Sequence, residues 1–166
     1  MKITATLDYA ATTQDVFAML TDEAFQTRKC VATGALSYTV SITAEGERAV
    51  IVSNRVLPTD DLPSFVKGVV GATMAVTETQ DWGPVGPDGT REAELTVDIG
   101  GAPVALHGSL SLAPAGKGAV YTVLGDLKAR VPLIGGKIES ASAPAIQSAI
   151  RVEHETGQAW LASLLS

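Results

Sequence analysis

The chain is poor in cysteine, in aromatics and in charge. Cys30 is the single cysteine among 166 residues. No internal disulfide can form, which suits a reducing compartment. Three Phe, two Trp and three Tyr make up 5% of the sequence, so the core must be filled by Val, Ile, Leu and Ala. Charged residues are only 18%, the net charge is −6, and Lys and Arg form no cluster. Nucleic-acid binding requires a basic face against phosphates, so nucleic acid is not an expected partner. Anionic membrane surfaces are disfavoured for the same reason. No apolar run approaches the ~18 residues of a membrane span, so no integral membrane association is expected. The segment Met1–Thr6 alternates and carries no continuous apolar signal region, so the expected location is cytoplasmic.

What is present is an apolar fraction of 46%. A chain of this length is expected to form one domain, residues 1–166, with a core that needs no staple. Ile3, Ala5 and Leu7 alternate with polar residues and predict a half-buried strand. Thr12 and Asp15 form a near capping box ahead of an apolar helical face of Val16, Phe17, Met19 and Leu20. Asp22 predicts the cap of a second short helix carrying Phe25 and Cys30, ended by Gly34. Strands are predicted around Leu36–Ile42 and Val50–Val56, joined at Glu45-Gly46-Glu47. Val50, Val52 and Val56 share a face with Asn54, and that face is expected to point inward. Asp61-Leu62-Pro63 predicts a cap and first turn for a short helix, Ser64–Val70.

Four further strands are predicted: Thr73–Trp82, a run with Ala93, Leu95, Val97 and Ile99, a run with Val104, Leu106, Leu110 and Leu112, and Ala119 to about Val131. The last shows Tyr121, Val123, Leu127 and Ala129 on one face. From Leu133 onward the pattern is helical for about thirty residues, with Pro144 inside. Seven strands without βαβ alternation predict an α+β fold: a curved antiparallel sheet around a long C-terminal helix. A curved sheet facing small aliphatic residues permits a cavity as readily as a filled core.

This order of elements resembles the helix-grip arrangement of the START-like (SRPBCC) superfamily, which includes the birch-pollen allergen, lipid-transfer domains and polyketide cyclases. The resemblance covers essentially the whole chain. It is carried by Tyr9-Ala10-Ala11-Thr12 through Val16–Asp22, by Val56-Leu57-Pro58-Thr59, and by Val131-Pro132-Leu133-Ile134-Gly135-Gly136-Lys137-Ile138-Glu139. The last segment is similar to a narrower actinobacterial branch of unknown function. The superfamily implies a hydrophobic cavity between sheet and helix and no universal catalytic residue.

Two carboxylates are the candidates for chemistry. Glu153 falls within the helical stripe Ile146, Ala149, Ile150, Trp160 and Leu164, so it would face the sheet. Burial would raise its pKa and suit a general acid or base. Pairing with a cation such as Arg55 is the structural alternative. Glu78 shares strand parity with Met74, Val76 and Trp82, although the opposite face of threonines also fits an inward reading. The expected ligand-lining residues are Tyr38, Val52, Asn54, Met74, Val76, Leu95 and Val97 on the earlier strands. Leu106, Tyr121, Val123 and Leu127 follow on the later ones, with Ile146, Ile150 and Glu153 on the helix. Phe65, Val66 and Val69 form the apolar side of a candidate lid.

Other chemistries find no support. His107 and His154 lie off the apolar faces and lack partners at metal-ligand spacing, so no metal is expected. No Gly-x-Ser-x-Gly elbow is present. Ile134-Gly135-Gly136-Lys137 is not a phosphate loop, because Val131 and Ile138 stand where glycine and Ser or Thr are required. Those glycines are expected to let the helix start approach a strand. No cofactor is expected. The resulting expectation is a binder of a hydrophobic small molecule, of lipid, polyketide or isoprenoid type. The alternatives are a cyclase or dehydratase using a pocket carboxylate, or an interaction module with a filled core.

Overall fold

The computed structural model describes residues 1–165. In chain order it contains β1 (Lys2–Tyr9), α1 (Thr13–Leu20), α2 (Glu23–Ala32), β2 (Ser37–Glu45), β3 (Arg48–Pro58) and α3 (Ser64–Val70). Then follow β4 (Thr73–Trp82), β5 (Arg91–Ile99), β6 (Val104–Ala115), β7 (Gly118–Ala129) and α4 (Gly135–Ser163). The strands form one antiparallel seven-stranded sheet in the order β1-β7-β6-β5-β4-β3-β2. This is the helix-grip arrangement, with α4 as the gripped helix.

Local chemistry sets the helix starts. Thr12 Oγ1 accepts from the Asp15 N–H at 3.1 Å, and Asp22 Oδ1 accepts from the Ala24 N–H at 2.8 Å. Each cap satisfies a donor that the first helical turn leaves free. Asp61 does not cap α3: Pro63 occupies the cap position, without a side-chain hydrogen bond. Proline's fixed φ starts that helix instead.

Directly opposed residues in antiparallel strands share a face, so the pairing register fixes what points inward. On β4 the inner residues are Met74, Val76, Glu78, Gln80 and Trp82, which oppose Leu57, Arg55, Ser53, Ile51 and Ala49 of β3. Ala93, Leu95, Val97 and Ile99 continue that face on β5. Leu106 and Leu110 continue it on β6, and Tyr121, Val123 and Leu127 on β7. The helices close the core with Val16, Met19, Leu20, Phe25, Ile138 and Leu161.

The inward reading of β3 is corrected. Val52 and Asn54 lie opposite Ser41 and Thr39, on the outer face. Asn54 there donates to Thr39 Oγ1 and accepts from Thr77 Oγ1. The inner face of β3 instead carries Ser53 and Arg55, both buried. Ala149 and Leu164 are exposed, so the α4 stripe is narrower than expected.

Glycine lets α4 approach the sheet at two points. A Cβ at Gly157 would lie 2.9 Å from the Tyr9 ring and 3.1 Å from Met19 Cε. A Cβ at Gly135 would strike the Ala129 carbonyl oxygen. On its other side α4 covers the free edge of β1. Gln147 Nε2 donates to Thr4 O at 3.4 Å, and His154 Nε2 lies 2.7 Å from Asp8 O. Side chains one heptad apart thereby occupy edge carbonyls that would otherwise invite another strand. Between them lies an open groove of about 450 Å³, lined by Ala5, Leu7, Pro144, Ile150 and Arg151 among others.

Candidate functional site

The two candidate carboxylates meet. Glu78, on the inner face of β4, and Glu153, on α4, are bridged by Lys29 of α2. Lys29 Nζ lies 2.9 Å from Glu78 Oε1 and 3.6 Å from Glu153 Oε2. Arg55 of β3 adds a second cation, with Nη2 at 3.4 Å from Glu78 Oε2. Its Nη1 donates to Thr33 Oγ1 at 3.2 Å.

Lys29 reaches this position because α2 buries Phe25, Gln26, Lys29 and Cys30. Spacings of one, four and five residues put all four on one side of a helix. The sequence reading missed Lys29 because apolar character, rather than helical position, selected the residues assigned to that face.

Glu78 has both oxygens engaged. Besides the two cations it accepts from Gln80 Nε2 at 2.9 Å, and Gln80 Oε1 in turn accepts from Trp82 Nε1 at 2.9 Å. Alternate residues of one strand thus form a relay running from the indole to the ammonium. Glu153 is only partly engaged. Its Oε1 is buried without a hydrogen-bond partner, as are Arg55 Nε and Ser53 Oγ. Unpaired polar atoms in a buried position are costly, so each needs a reason.

The surroundings push the two acids apart. Burial works against the charge of Glu78, but Lys29 and Arg55 outweigh it and hold the carboxyl down at about 2. At Glu153, burial and the neighbouring Glu78 charge prevail over Lys29 and raise the pKa. Lys29 is raised: burial opposes its charge, but Glu153 and Glu78 overcome that. Tyr121 and Tyr9 are raised, first by burial and then by Glu153. A pair of acids with opposite shifts is the pattern of one fixed charge and one proton-exchanging group.

Lys29 is 1% exposed, whereas the side chains of Glu78 and Glu153 keep 14% and 17% of their surface accessible. The two acidic side chains therefore reach accessible surface that Lys29 does not, although Glu153 Oε1 is itself buried. The inner sheet residues nearby are apolar and of mixed exposure. Val76, Leu95, Leu106, Tyr121, Val123 and Leu127 are buried, while Met74 and Val97 are half-buried. Ile146 and Ile150 of α4 are half-buried and pack against the same core. Tyr38 lies opposite Arg55 on the inner side, but on edge strand β2, where it is 38% exposed.

The candidate lid helix is docked. Val66 is buried, Phe65 and Val69 pack against the core, and Lys137 Nζ of α4 lies 4.6 Å from the Phe65 ring centroid. Aromatic contacts frame the opposite end. Tyr9 meets Tyr121 and His154 edge-on at 6.4 and 5.0 Å, and Phe17 meets Trp82 at 5.8 Å. Cys30 is fully buried, and burial raises its thiol pKa, as befits an inert core residue. No helix among the described residues is long and apolar enough to cross a membrane.

Residues 4–161 match the family described as "Protein of unknown function (DUF2505)", and the chain belongs to it. It is 27% identical over 113 residues to the uncharacterized protein Rv0481c of Mycobacterium tuberculosis. That alignment covers 67% of this chain and 64% of the relative's length. Among solved structures it is similar to the STAR-related lipid transfer protein of Xanthomonas axonopodis (TM-score 0.60, 12% identity, covering 95% of this chain and 85% of that one). It is also similar to human STARD10 (TM-score 0.60, 11% identity, covering 94% and 62%). The fold is START-like.

Proposed function

We propose that this member of the family binds an apolar small molecule, of lipid, polyketide or isoprenoid type, between the sheet and α4. One observation carries the reading. The inner wall is mostly apolar, yet two acidic side chains on it keep part of their surface accessible, and one of them holds a buried oxygen without a partner. Apolar burial supplies most of the affinity, at about 25 cal/mol per Å². The polar cluster orients one end of the ligand. The half-buried Met74, Val97, Ile146 and Ile150 line its path, and Phe65, Val66 and Val69 of α3 cover it. The STAR-related lipid transfer protein, with the same fold, supports the ligand class. The protein acts in the cytoplasm, without nucleic acid as a partner.

The test is native mass spectrometry of protein purified from its own host, with 1-anilinonaphthalene-8-sulfonate displacement as the solution assay. A co-purifying apolar mass that displaces the dye is expected. A ligand-free spectrum with no dye binding overturns the reading.

A second reading rests on the raised pKa of Glu153 beside Tyr121. In a cyclase or dehydratase, Glu153 would exchange the proton. Glu153→Gln would then abolish turnover while leaving ligand binding in place. Normal turnover by that variant removes Glu153 as the acid or base.

A further inference from the structure

The hydrogen-bonding capacity left over in the cluster is uneven. Lys29 has three N–H groups, and the one hydrogen bond its ammonium makes goes to Glu78. Glu153 Oε2, at 3.6 Å, is an ion-pair partner beyond hydrogen-bond length. Arg55 uses Nη1 and Nη2 and leaves Nε–H free. The Ser53 hydroxyl, on the inner face beside Glu78, is also free. Against these donors stands one unpaired carboxylate oxygen, Glu153 Oε1. Both oxygens of Glu78 already accept hydrogen bonds.

The spare groups therefore suit an oxygen-rich acceptor. Charge decides what else must happen. Lys29 and Arg55 balance Glu78 and Glu153, so the cluster is neutral with both acids ionised. An anion entering it would leave one uncompensated buried charge, which is costly. Protonating one acid removes that excess. Glu78 is held by three donors, whereas Glu153 is held by one loose contact.

We propose that the pocket takes an apolar chain ending in a carboxylate, seated on Lys29 and Arg55, and that Glu153 takes up one proton from solvent as it binds. No covalent bond changes. The proton goes to Glu153, whose new O–H donates to the incoming carboxylate. The charged and titratable groups facing Glu153 come from every element around it: Lys29 of α2, Arg55 of β3, Glu78 of β4, Tyr9 of β1 and Tyr121 of β7. Both tyrosines are raised and stay neutral near neutral pH. Glu78 stays ionised. Glu153 is thus the member free to change. His154, next along α4, faces Asp8 O on the β1 edge instead.

The inference rests on the binding reading above, and its test separates the two. Dodecanoate and dodecanol share a chain and differ at the head. Each is titrated calorimetrically into the whole chain from about pH 6.5 to 8.5, where a free fatty carboxyl is ionised, in phosphate and in Tris. Dodecanoate binding should take up about one proton, read from the heat difference between buffers, and weaken about tenfold per pH unit. Dodecanol binding should take up none and be flat with pH. Glu153→Gln, which mimics the protonated acid, should bind dodecanoate without proton uptake and without pH dependence. If dodecanol binds and dodecanoate does not, or dodecanoate binds with no proton taken up, the carboxylate inference is overturned and the apolar pocket stands. If neither binds, both are overturned.

Discussion

Glu78 and Glu153 share one ammonium, that of Lys29, yet their acidities are displaced in opposite directions. The difference follows from the number of donors each receives. Glu78 accepts from Lys29, Arg55 and Gln80. Glu153 has Lys29 as its ion-pair partner, feels Arg55 at longer range and sits near the charge of Glu78. One acid serves the fold, and the other is carried at its expense.

Substitutions should separate these roles. Glu78→Gln leaves two buried cations with one loosely held acid, and removing a partner from a buried ion pair costs about 3–5 kcal/mol. Urea unfolding at pH 8 should show a loss of that size. Glu153→Gln removes a charge that its surroundings disfavour, so its stability at pH 8 should equal or exceed that of the parent. A large loss with Glu153→Gln would show that Lys29 depends on both acids equally.

The pH dependence has a defined sign. Glu78 is held at about 2 in the fold, against an ordinary ~4.3 in the unfolded chain. It stabilises the fold above the unfolded value, and this is lost as pH falls through the folded one, a change of about 3 kcal/mol. Glu153 works the other way. Its folded pKa is raised, so its contribution is present below the unfolded value and lost as pH rises through the folded value. Melting temperatures across pH should therefore fall on the acid side in the parent and in Glu153→Gln, but much less in Glu78→Gln. The loss that sets in as pH rises from the unfolded carboxylate value through the raised Glu153 value should be absent in Glu153→Gln.

The fold was legible because hydrophobic alternation marks the strands and helical spacing marks α1, α2 and α4. The site was legible in part. Glu78 and Glu153 follow from strand parity and from the Ile146–Ile150 stripe. Lys29 did not follow. Arg55, the cation offered as a partner for Glu153, fell on the outer face by strand parity, and in the structure it pairs with Glu78 instead. On β3 the three valines, Val50, Val52 and Val56, outvoted Ser53 and Arg55, yet the polar residues are the ones inside. A period-two pattern assigns the apolar set to the core, and it fails where the inner face carries a polar cluster. The same argument applies to α2, where Lys29 lies on the stripe of Phe25 and Cys30 but is not apolar.

Gly157 should be an intolerant position within α4. Alanine there gains up to about 1 kcal/mol in helix propensity. Its methyl, however, meets the Tyr9 ring at 2.9 Å, and that ring is enclosed by Tyr121 and His154. Overpacking of this kind costs about 1–3 kcal/mol, so Gly157→Ala should be destabilising. Gly136 supplies the control, because a Cβ there meets nothing within 4 Å. Gly136→Ala should be neutral or stabilising by a few tenths of a kcal/mol. Equal melting temperatures for the two variants would refute close packing at Gly157.

Leu133 connects β7 to α4 with φ at +73°, and its side chain is fully exposed at 105%. It is the one non-glycine residue with positive φ among those described. The bend brings Gly135 against the Ala129 carbonyl and starts α4 without any side-chain cap. The left-handed conformation costs about 1–2 kcal/mol in a residue with a Cβ. No buried contact of Leu133 offsets this. Leu133→Gly removes the strain but gives the unfolded chain more freedom, a counter-effect of about 0.4–1 kcal/mol. The net should be a gain of about 0.5 kcal/mol, seen as a small rise in melting temperature with dye binding unchanged. Leu133→Pro, whose ring fixes φ near −65°, is incompatible with the bend and should lower stability by more than the glycine variant raises it. If both variants melt with the parent, the positive φ carries no strain, and the approach of α4 to β7 is set by Gly135 alone.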